Sequence, residues 1–338
     1  MHRRCGATAR ARLSVNRSFV LLALVACGSR APIPAPPSID DKRSLAAEHC
    51  PTIAAPYFYR VAKAGPPSYL LGTFHAAVPL AKFPSEVADD IRAARLVVFE
   101  TRPGDDDGDD GGQPARATPP SSLADAVGPD RWKHYRELAG PETANAVEHR
   151  KPEVAVISLL VLYVDTSVAL REDITAVAQQ AGVAIDGLET DAFQQALIGK
   201  QLDTRLLKAV IEQTPDRATL ARNFTESLEH YCKGDRTDAG TDAEDRADMK
   251  KAGYSDAEID AIDDEMVYAR NRSWIPKLED MFATGNVFVA VGADHLRGPK
   301  GVVELLKARG WAVERFDPTA PPFGGAAGRA QVPAAVKP

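Results

Sequence analysis

Tyr69-Leu70-Leu71-Gly72-Thr73-Phe74-His75 and Val287-Phe288-Val289-Ala290-Val291-Gly292-Ala293-Asp294-His295 are two apolar runs that each end in glycine, two further residues and histidine. Runs of this length and composition read as buried strands. In an open α/β sheet, ligands bind beyond the carboxyl ends of the strands, so two such turns can deliver two imidazoles to one place. Glycine at each turn is read as the permissive residue that lets the chain bend there. A third run, Leu96-Val97-Val98-Phe99, ends on Glu100 in the same manner. Two imidazoles and a carboxylate suit a divalent cation and leave coordination positions for water and substrate. His75, Glu100 and His295 are therefore the candidate metal ligands.

Outward from these strands, the order of elements indicates a mixed central β-sheet with flanking helices, an α/β fold. Tyr57 to Val61 and Ser68 to Leu71 flank Ala64-Gly65-Pro66-Pro67 and predict a hairpin leading into His75. Helical patterns end near Ala94, start from an Asp130 N-cap, and recur at 154–164 and 172–181. Val183 to Leu188 reads as a strand that delivers Glu189. From 192 to 282 the pattern is helical almost throughout, with breaks at Thr214-Pro215 and Lys233-Gly234-Asp235, which predicts a helical subdomain inserted between sheet halves. Ser255-Asp256-Ala257-Glu258 is a capping box inside it. Strand 287–291, helix 301–309 and strand 311–316 close a domain spanning 56–317, and 318–338 reads as a disordered tail.

The 338 residues are 44% hydrophobic and carry a net charge of −6, enough for a sizeable core and without a basic surface for nucleic acid. Arginines at 3, 4, 10, 12 and 17 precede the apolar run 19–26, which is too short to span a bilayer and reads as a signal peptide over 1–26. Leu24-Val25-Ala26-Cys27 resembles a bacterial lipobox with Cys27 as the acylated residue. Such a protein is exported and anchored by lipid, at the outer membrane in this reading, because Gly28 and Ser29 follow rather than aspartate. The segment 27–55 is the lipidated cysteine and a Pro-rich tether, extended and mobile through 28–49. An exported compartment permits Cys50 and Cys232 to form a disulfide, although spacing alone leaves two unpaired thiols open. Gly104 to Gly112 alternates aspartate with glycine but lacks the closing glutamate of a calcium loop, so 104–120 is read as a disordered acidic insertion.

Taken together, these motifs resemble the TraB/GumN family, relatives of the Tiki-type metal-dependent proteases, over Tyr57 to Phe316. The resemblance rests on the hairpin into Gly72-Thr73-Phe74-His75, Val97-Val98-Phe99-Glu100, Lys151-Pro152, Gly187-Leu188-Glu189-Thr190 with Gln194, Lys233-Gly234-Asp235, Arg270-Asn271, and Gly292-Ala293-Asp294-His295-Leu296-Arg297-Gly298 with Gly301-Val302-Val303. It implies His75, Glu100 and His295 as metal ligands and hydrolysis of peptide or protein amide bonds by activated water; manganese, cobalt and zinc all tolerate such donors, so the identity of the ion stays open. Under it, Glu189 serves as a general base or as an acceptor orienting a ligand histidine, unless it is a helix-entry carboxylate. Arg270 and Asn271 are suited to a substrate carbonyl or its oxyanion, or to a buried ion pair. Asp294, beside His295, is read as orienting it or as an ordinary turn cap, and Gln194 is a supporting residue. His49, His134, His149 and His230 are read as ordinary surface or core histidines.

No Gly-x-Ser-x-Gly elbow, no His-Glu-x-x-His and no phosphate loop occurs in the sequence. Two alternatives stand beside the peptidase expectation: an ester hydrolase on the same site, and a non-catalytic envelope lipoprotein that sequesters a peptide or metal. Oligomeric state is not legible.

Overall fold

A computed structural model describes residues 36–53, 55–104, 122–235 and 243–317. The signal-peptide segment, Cys27, nearly all of the acidic stretch and the tail lie outside the described residues. Six strands form one sheet: β1 (Phe58–Ala62), β2 (Ser68–Thr73), β3 (Leu96–Thr101), β4 (Ala184–Glu189), β5 (Val287–Gly292) and β6 (Ala312–Arg315), in the order β4-β3-β5-β2-β1-β6. β4, β3, β5 and β2 run parallel, and the β1 hairpin arm and β6 are antiparallel additions at one side. The expected mixed α/β sheet is what the chain forms.

Burial on both faces explains the strand sequences. Every residue of β5 is buried, consistent with its central place, whereas β6 alternates exposed with half-buried residues at the edge. Register then places four strand ends on one edge of the sheet, since Thr73 is opposite Gly292 and Thr101 is opposite Glu189. That edge receives His75, Glu100, Glu189 and His295.

Helices cover the sheet and build a second apolar cluster beside it. The first cluster centres on the strands with Tyr57, Ile91, Ile174, Leu228, Trp274 and Phe282. The second joins Leu123 to Leu162, including Trp132 and Tyr135, to residues between Leu202 and Ile262. Helical layers on both clusters therefore come from two separate stretches of chain. The capping box at Ser255 forms as read, with Ser255 Oγ accepting from the Glu258 N–H and Glu258 accepting from the Ser255 N–H. Immediately after that helix, Asp264–Tyr268 widens into a π-helical turn before the helix Ala269–Thr284.

Two local expectations are corrected. The tether is not extended up to residue 49: Ile39–His49 is a helix, opened by Ser38, whose hydroxyl accepts from the Asp41 N–H while the Asp41 carboxylate accepts from Ser38. Its composition, Lys42, Arg43, Leu45, Ala46, Ala47 and Glu48, favours helix once that cap is in place. Arg43 Nε donates to Asp165 at 2.7 Å, His49 meets Glu229 at 2.7 Å, and Cys50 is disulfide-bonded to Cys232 with 5.7 Å between the Cα atoms. The disulfide is thus the outcome of the two left open. Asp130 is not an N-cap, because Pro129 already occupies the first turn of Pro129–Ala139 and Gly128, at φ 91°, takes the cap position.

Among the described residues, no helix is long and apolar enough to cross a membrane.

Candidate active site

At the carboxyl edge of the sheet, Gly292 is the hub. A Cβ built there would lie 3.2 Å from Glu100 Oε1, 3.3 Å from His75 Nε2 and 3.6 Å from His295 Cδ2. The three residues singled out as ligands therefore converge on one glycine. Neither motif glycine is needed for its backbone angles, which corrects the reading of them as permissive bends. Gly292 has φ −51° and ψ 138°, open to any residue, and Gly72 is not among the positive-φ glycines. What both require is the missing side chain: a Cβ at Gly72 would come within 2.8 Å of the Tyr57 Cβ and 3.0 Å of the Ala293 Cα. Of the two non-glycine residues at positive φ among the described residues, Ala77 and Asn286, it is Ala77 at φ 67° that lies near the site, two positions after His75, its N–H tied to the Val168 carbonyl at 2.8 Å. Non-glycine residues held in that region cost on the order of 1 kcal/mol and cluster at functional sites.

His295 is buried at 5% exposure, whereas His75 faces solvent. The His295 Nδ1–H donates to Asn271 Oδ1 at 2.7 Å, and this fixes the tautomer that leaves Nε2 with its lone pair. Arg270 Nη1 lies 3.1 Å from that Nε2, and Glu100 Oε1 3.8 Å from it. Burial, reinforced by Arg270 and His75 and opposed by Glu100, pushes the His295 pKa down to about 3, so the ring is neutral. Glu100 is ionised: burial works to raise its pKa, but His295, His75, Arg270 and the Gly292 N–H together bring it down to about 2. Gly292 N–H donates to Oε1 at 2.7 Å, and Oε2 accepts from Arg270 Nη2 at 2.6 Å and Gln194 Nε2 at 2.9 Å.

Glu189 is fully engaged. Arg270 donates to it through Nε at 3.1 Å and Nη2 at 2.6 Å, Trp274 Nε1 at 3.1 Å, and Gln194 Nε2 at 3.3 Å. Burial opposes the Arg270 charge, but the hydrogen bonds and charges of Glu189 and Glu100 more than offset it and its pKa is raised. A guanidinium forked between two carboxylates is held in one orientation.

The remaining sequence candidates separate. Asn271, fully buried, donates Nδ2 to the Lys300 carbonyl at 3.0 Å, so its amide orients His295 and is not the oxyanion donor expected of it. Asp294 pairs with Arg297, and the orienting role expected of it belongs to Asn271. Gln194, read as a supporting residue, bridges both carboxylates. Trp274 was not anticipated. Its ring lies 4.5 Å from the His295 ring and 4.9 Å from the Arg270 guanidinium carbon, and its place one helical turn after Arg270 was the available signal. His230, read as ordinary, lines the same cavity, with Nδ1 3.1 Å from Asp235.

The cavity in front of this cluster measures about 670 Å³, within the range of ligand sites. His75, Glu100, Gln194, Arg270, Gly292, Asp294 and His295 line it. Among the described residues, no three His, Cys, Asp or Glu side chains form a group closed enough to hold a metal ion as placed. The donors nonetheless fit a divalent cation in kind: a neutral imidazole with its lone pair inward, a second imidazole and an ionised carboxylate surround a space that only glycine leaves open. Two carboxylates against one guanidinium also leave an excess negative charge for a cation to neutralise.

A family model described as the TraB/PrgY/gumN family matches residues 57–315. No curated protein and no solved structure matches the chain.

Proposed function

The chain belongs to the TraB/PrgY/gumN family, and on that footing we propose that the cavity is the active site of a metal-dependent hydrolase that cleaves peptide or protein amide bonds. The observation that supports this reading most is the convergence of His75, Glu100 and His295 on the Cβ-less Gly292. His75, Glu100 and His295 would hold the ion, with manganese, cobalt and zinc all compatible with such donors. A divalent ion bound there supplies Lewis-acid polarisation of the carbonyl and lowers the pKa of water.

Around it, the chain's own residues supply orientation and charge. Asn271 keeps the His295 proton on Nδ1, and the Gly292 N–H with Gln194 holds the Glu100 carboxylate in one plane. Arg270 is a cationic group of the cavity wall whose N–H groups are shared among Glu100, Glu189, His295 and the Met266 carbonyl, so it would act on negative charge developing on a substrate oxygen through its field rather than through a free donor. Glu189, with its oxygens occupied by Arg270, Trp274 and Gln194, acts as the anchor of that guanidinium rather than as a proton acceptor. In the net reaction, water oxygen bonds to the carbonyl carbon, the C–N bond breaks, and the leaving amine takes a proton.

Signal-peptide export and lipid attachment at Cys27 remain part of the proposal and would put this chemistry at an envelope membrane. Elemental analysis of purified wild type, His75→Ala and His295→Ala, with peptide hydrolysis measured before and after chelation, tests the reading. Bound metal and chelator-sensitive hydrolysis are expected in wild type and lost in both variants. Equal metal content in all three proteins overturns the ligand assignment, and stoichiometric peptide binding without turnover overturns hydrolysis.

A further inference from the structure

The wall of the cavity that faces the reactive cluster is apolar, and nothing in the catalytic reading uses it. Ile157 and Leu160 come from the helix Pro152–Leu160, Val161 from its C-cap, Leu197 and Ile198 from the helix Asp191–Gln201, and Met266 from the π-helical turn. Leu160, Ile198 and Met266 pack against the second apolar cluster and Val161 against the first, but two features leave part of this wall open. The helix Pro152–Leu160 is apolar nearly all round, a pattern expected of a buried helix, yet Ile157 is 40% exposed. The helix Asp191–Gln201 buries no residue at all, although it carries Phe193, Leu197 and Ile198, and Phe193 is 52% exposed. Ile157 and Leu197 belong to neither apolar cluster of the fold. Apolar surface left open to water is unfavourable, so the open part of this wall is stabilised by whatever covers it.

Geometry ties this wall to the reactive cluster. Gln194, Leu197 and Ile198 are spaced i, i+3 and i+4 on one helix, so one face presents the amide that bonds Glu100 and Glu189 and, a turn later, two aliphatic side chains. Polar groups, among them His230, Asp294 and Arg297, line the cavity elsewhere. That mixture suits a chain with alternating polar backbone and apolar side chains better than a uniformly apolar acyl tail.

We infer that Ile157, Leu160, Val161, Leu197, Ile198 and Met266 form a specificity subsite for a large aliphatic or aromatic side chain of a peptide substrate, adjoining the bond to be cut. The inference rests on the hydrolase reading for the position of that bond and on the cavity wall alone for binding. Truncating a side chain in a hydrophobic pocket lowers kcat/KM by roughly 10- to 200-fold per methylene group.

The test uses the full mature chain, with Ile157→Asp and Leu197→Asp as variants, since these two side chains leave both cores intact. N-acetylated hexapeptide amides carrying leucine, phenylalanine, glycine or glutamate at each position in turn serve as probes. Hydrolysis is followed by mass spectrometry, and binding by calorimetry after chelation. Cleavage beside leucine or phenylalanine at least about 100-fold faster than beside glycine, with the preference reduced at least tenfold in either variant, is the expected result. Hydrolysis indifferent to side chain overturns the subsite and leaves the hydrolase standing. Binding selective for leucine and phenylalanine, lost in the variants but never followed by cleavage, upholds the subsite and overturns the hydrolase. A preference for p-nitrophenyl fatty-acyl esters over every peptide overturns the peptide assignment.

Discussion

Gly292→Ala separates the site from the fold with a single methyl group. The new Cβ would sit 3.2 Å from Glu100 Oε1 and 3.3 Å from His75 Nε2, a few tenths of an ångström inside comfortable van der Waals contact. Exposed His75 can retreat, but Glu100 cannot do so without lengthening its bonds to Gly292 N–H at 2.7 Å, Arg270 at 2.6 Å and Gln194 at 2.9 Å. The methyl also fills the space that the three candidate ligands surround. Stability moves little, because φ −51° and ψ 138° suit alanine and the substitution restricts the unfolded chain by about 0.4–1 kcal/mol, which offsets the tight contact. Activity responds to geometry more steeply: displacement of a reacting group by about 1 Å costs on the order of 100-fold. The expected variant unfolds in urea within about 1 kcal/mol of wild type, yet retains little bound metal and loses about 100-fold in peptide hydrolysis. Undiminished metal content and turnover in a folded Gly292→Ala protein would refute the placement of the site at this glycine.

Three further outcomes follow from the same contacts. Replacing Cys50 and Cys232 together by serine opens a loop with a sequence separation of 182, which the chain-entropy relation values at about 5 kcal/mol, so urea unfolding of the variant should show a clearly lower midpoint and an unchanged one would contradict it. Trp274→Phe keeps a ring against His295 but removes the indole donor to Glu189; a bond to a charged group is worth about 1.5–3 kcal/mol, and stability measured at neutral pH should fall within that range. Acid destabilises the metal-free site through two groups of the same sign. His295 is depressed from 6.5 to about 3, so the unfolded chain takes up its proton first and stability present above pH 6.5 drains away as pH falls towards 3. Glu100, depressed from 4.5 to about 2, adds a loss that begins only below 4.5. Urea midpoints in chelator should therefore decline from pH 6.5 downward in wild type, and His295→Gln should be flatter between 6.5 and 4.5; parallel profiles would show that His295 is not buried neutral.

Local pattern was enough for the strands and for the presence of the site. Alternation and runs of β-branched residues reflect burial on a pleated surface, so β2, β3, β4 and β5 could be read from the chain, and with them the strand-end residues His75, Glu100, Glu189 and His295. Family membership over 57–315 was legible for the same reason, because those turns carry their own spacing. The Ser255 box is equally local, formed within four residues. The Ser38 cap is obscured in the sequence because the prolines before it dominate the composition of the segment.

Only the tertiary structure decided who partners whom. Whether Asn271 faces substrate or His295, whether Glu189 is free or holds Arg270, and that Trp274 joins the cluster depend on how the helix Ala269–Thr284 lies across the sheet edge, while Gln194 joins it from the helix Asp191–Gln201. No sequence period encodes that, since each contact joins residues far apart in the chain through packing. The glycines show the division most plainly. Sequence marked Gly72 and Gly292 as necessary, but the necessity comes from neighbours brought within about 3 Å of a Cβ that is not there, a steric fact that exists only once the chain has folded.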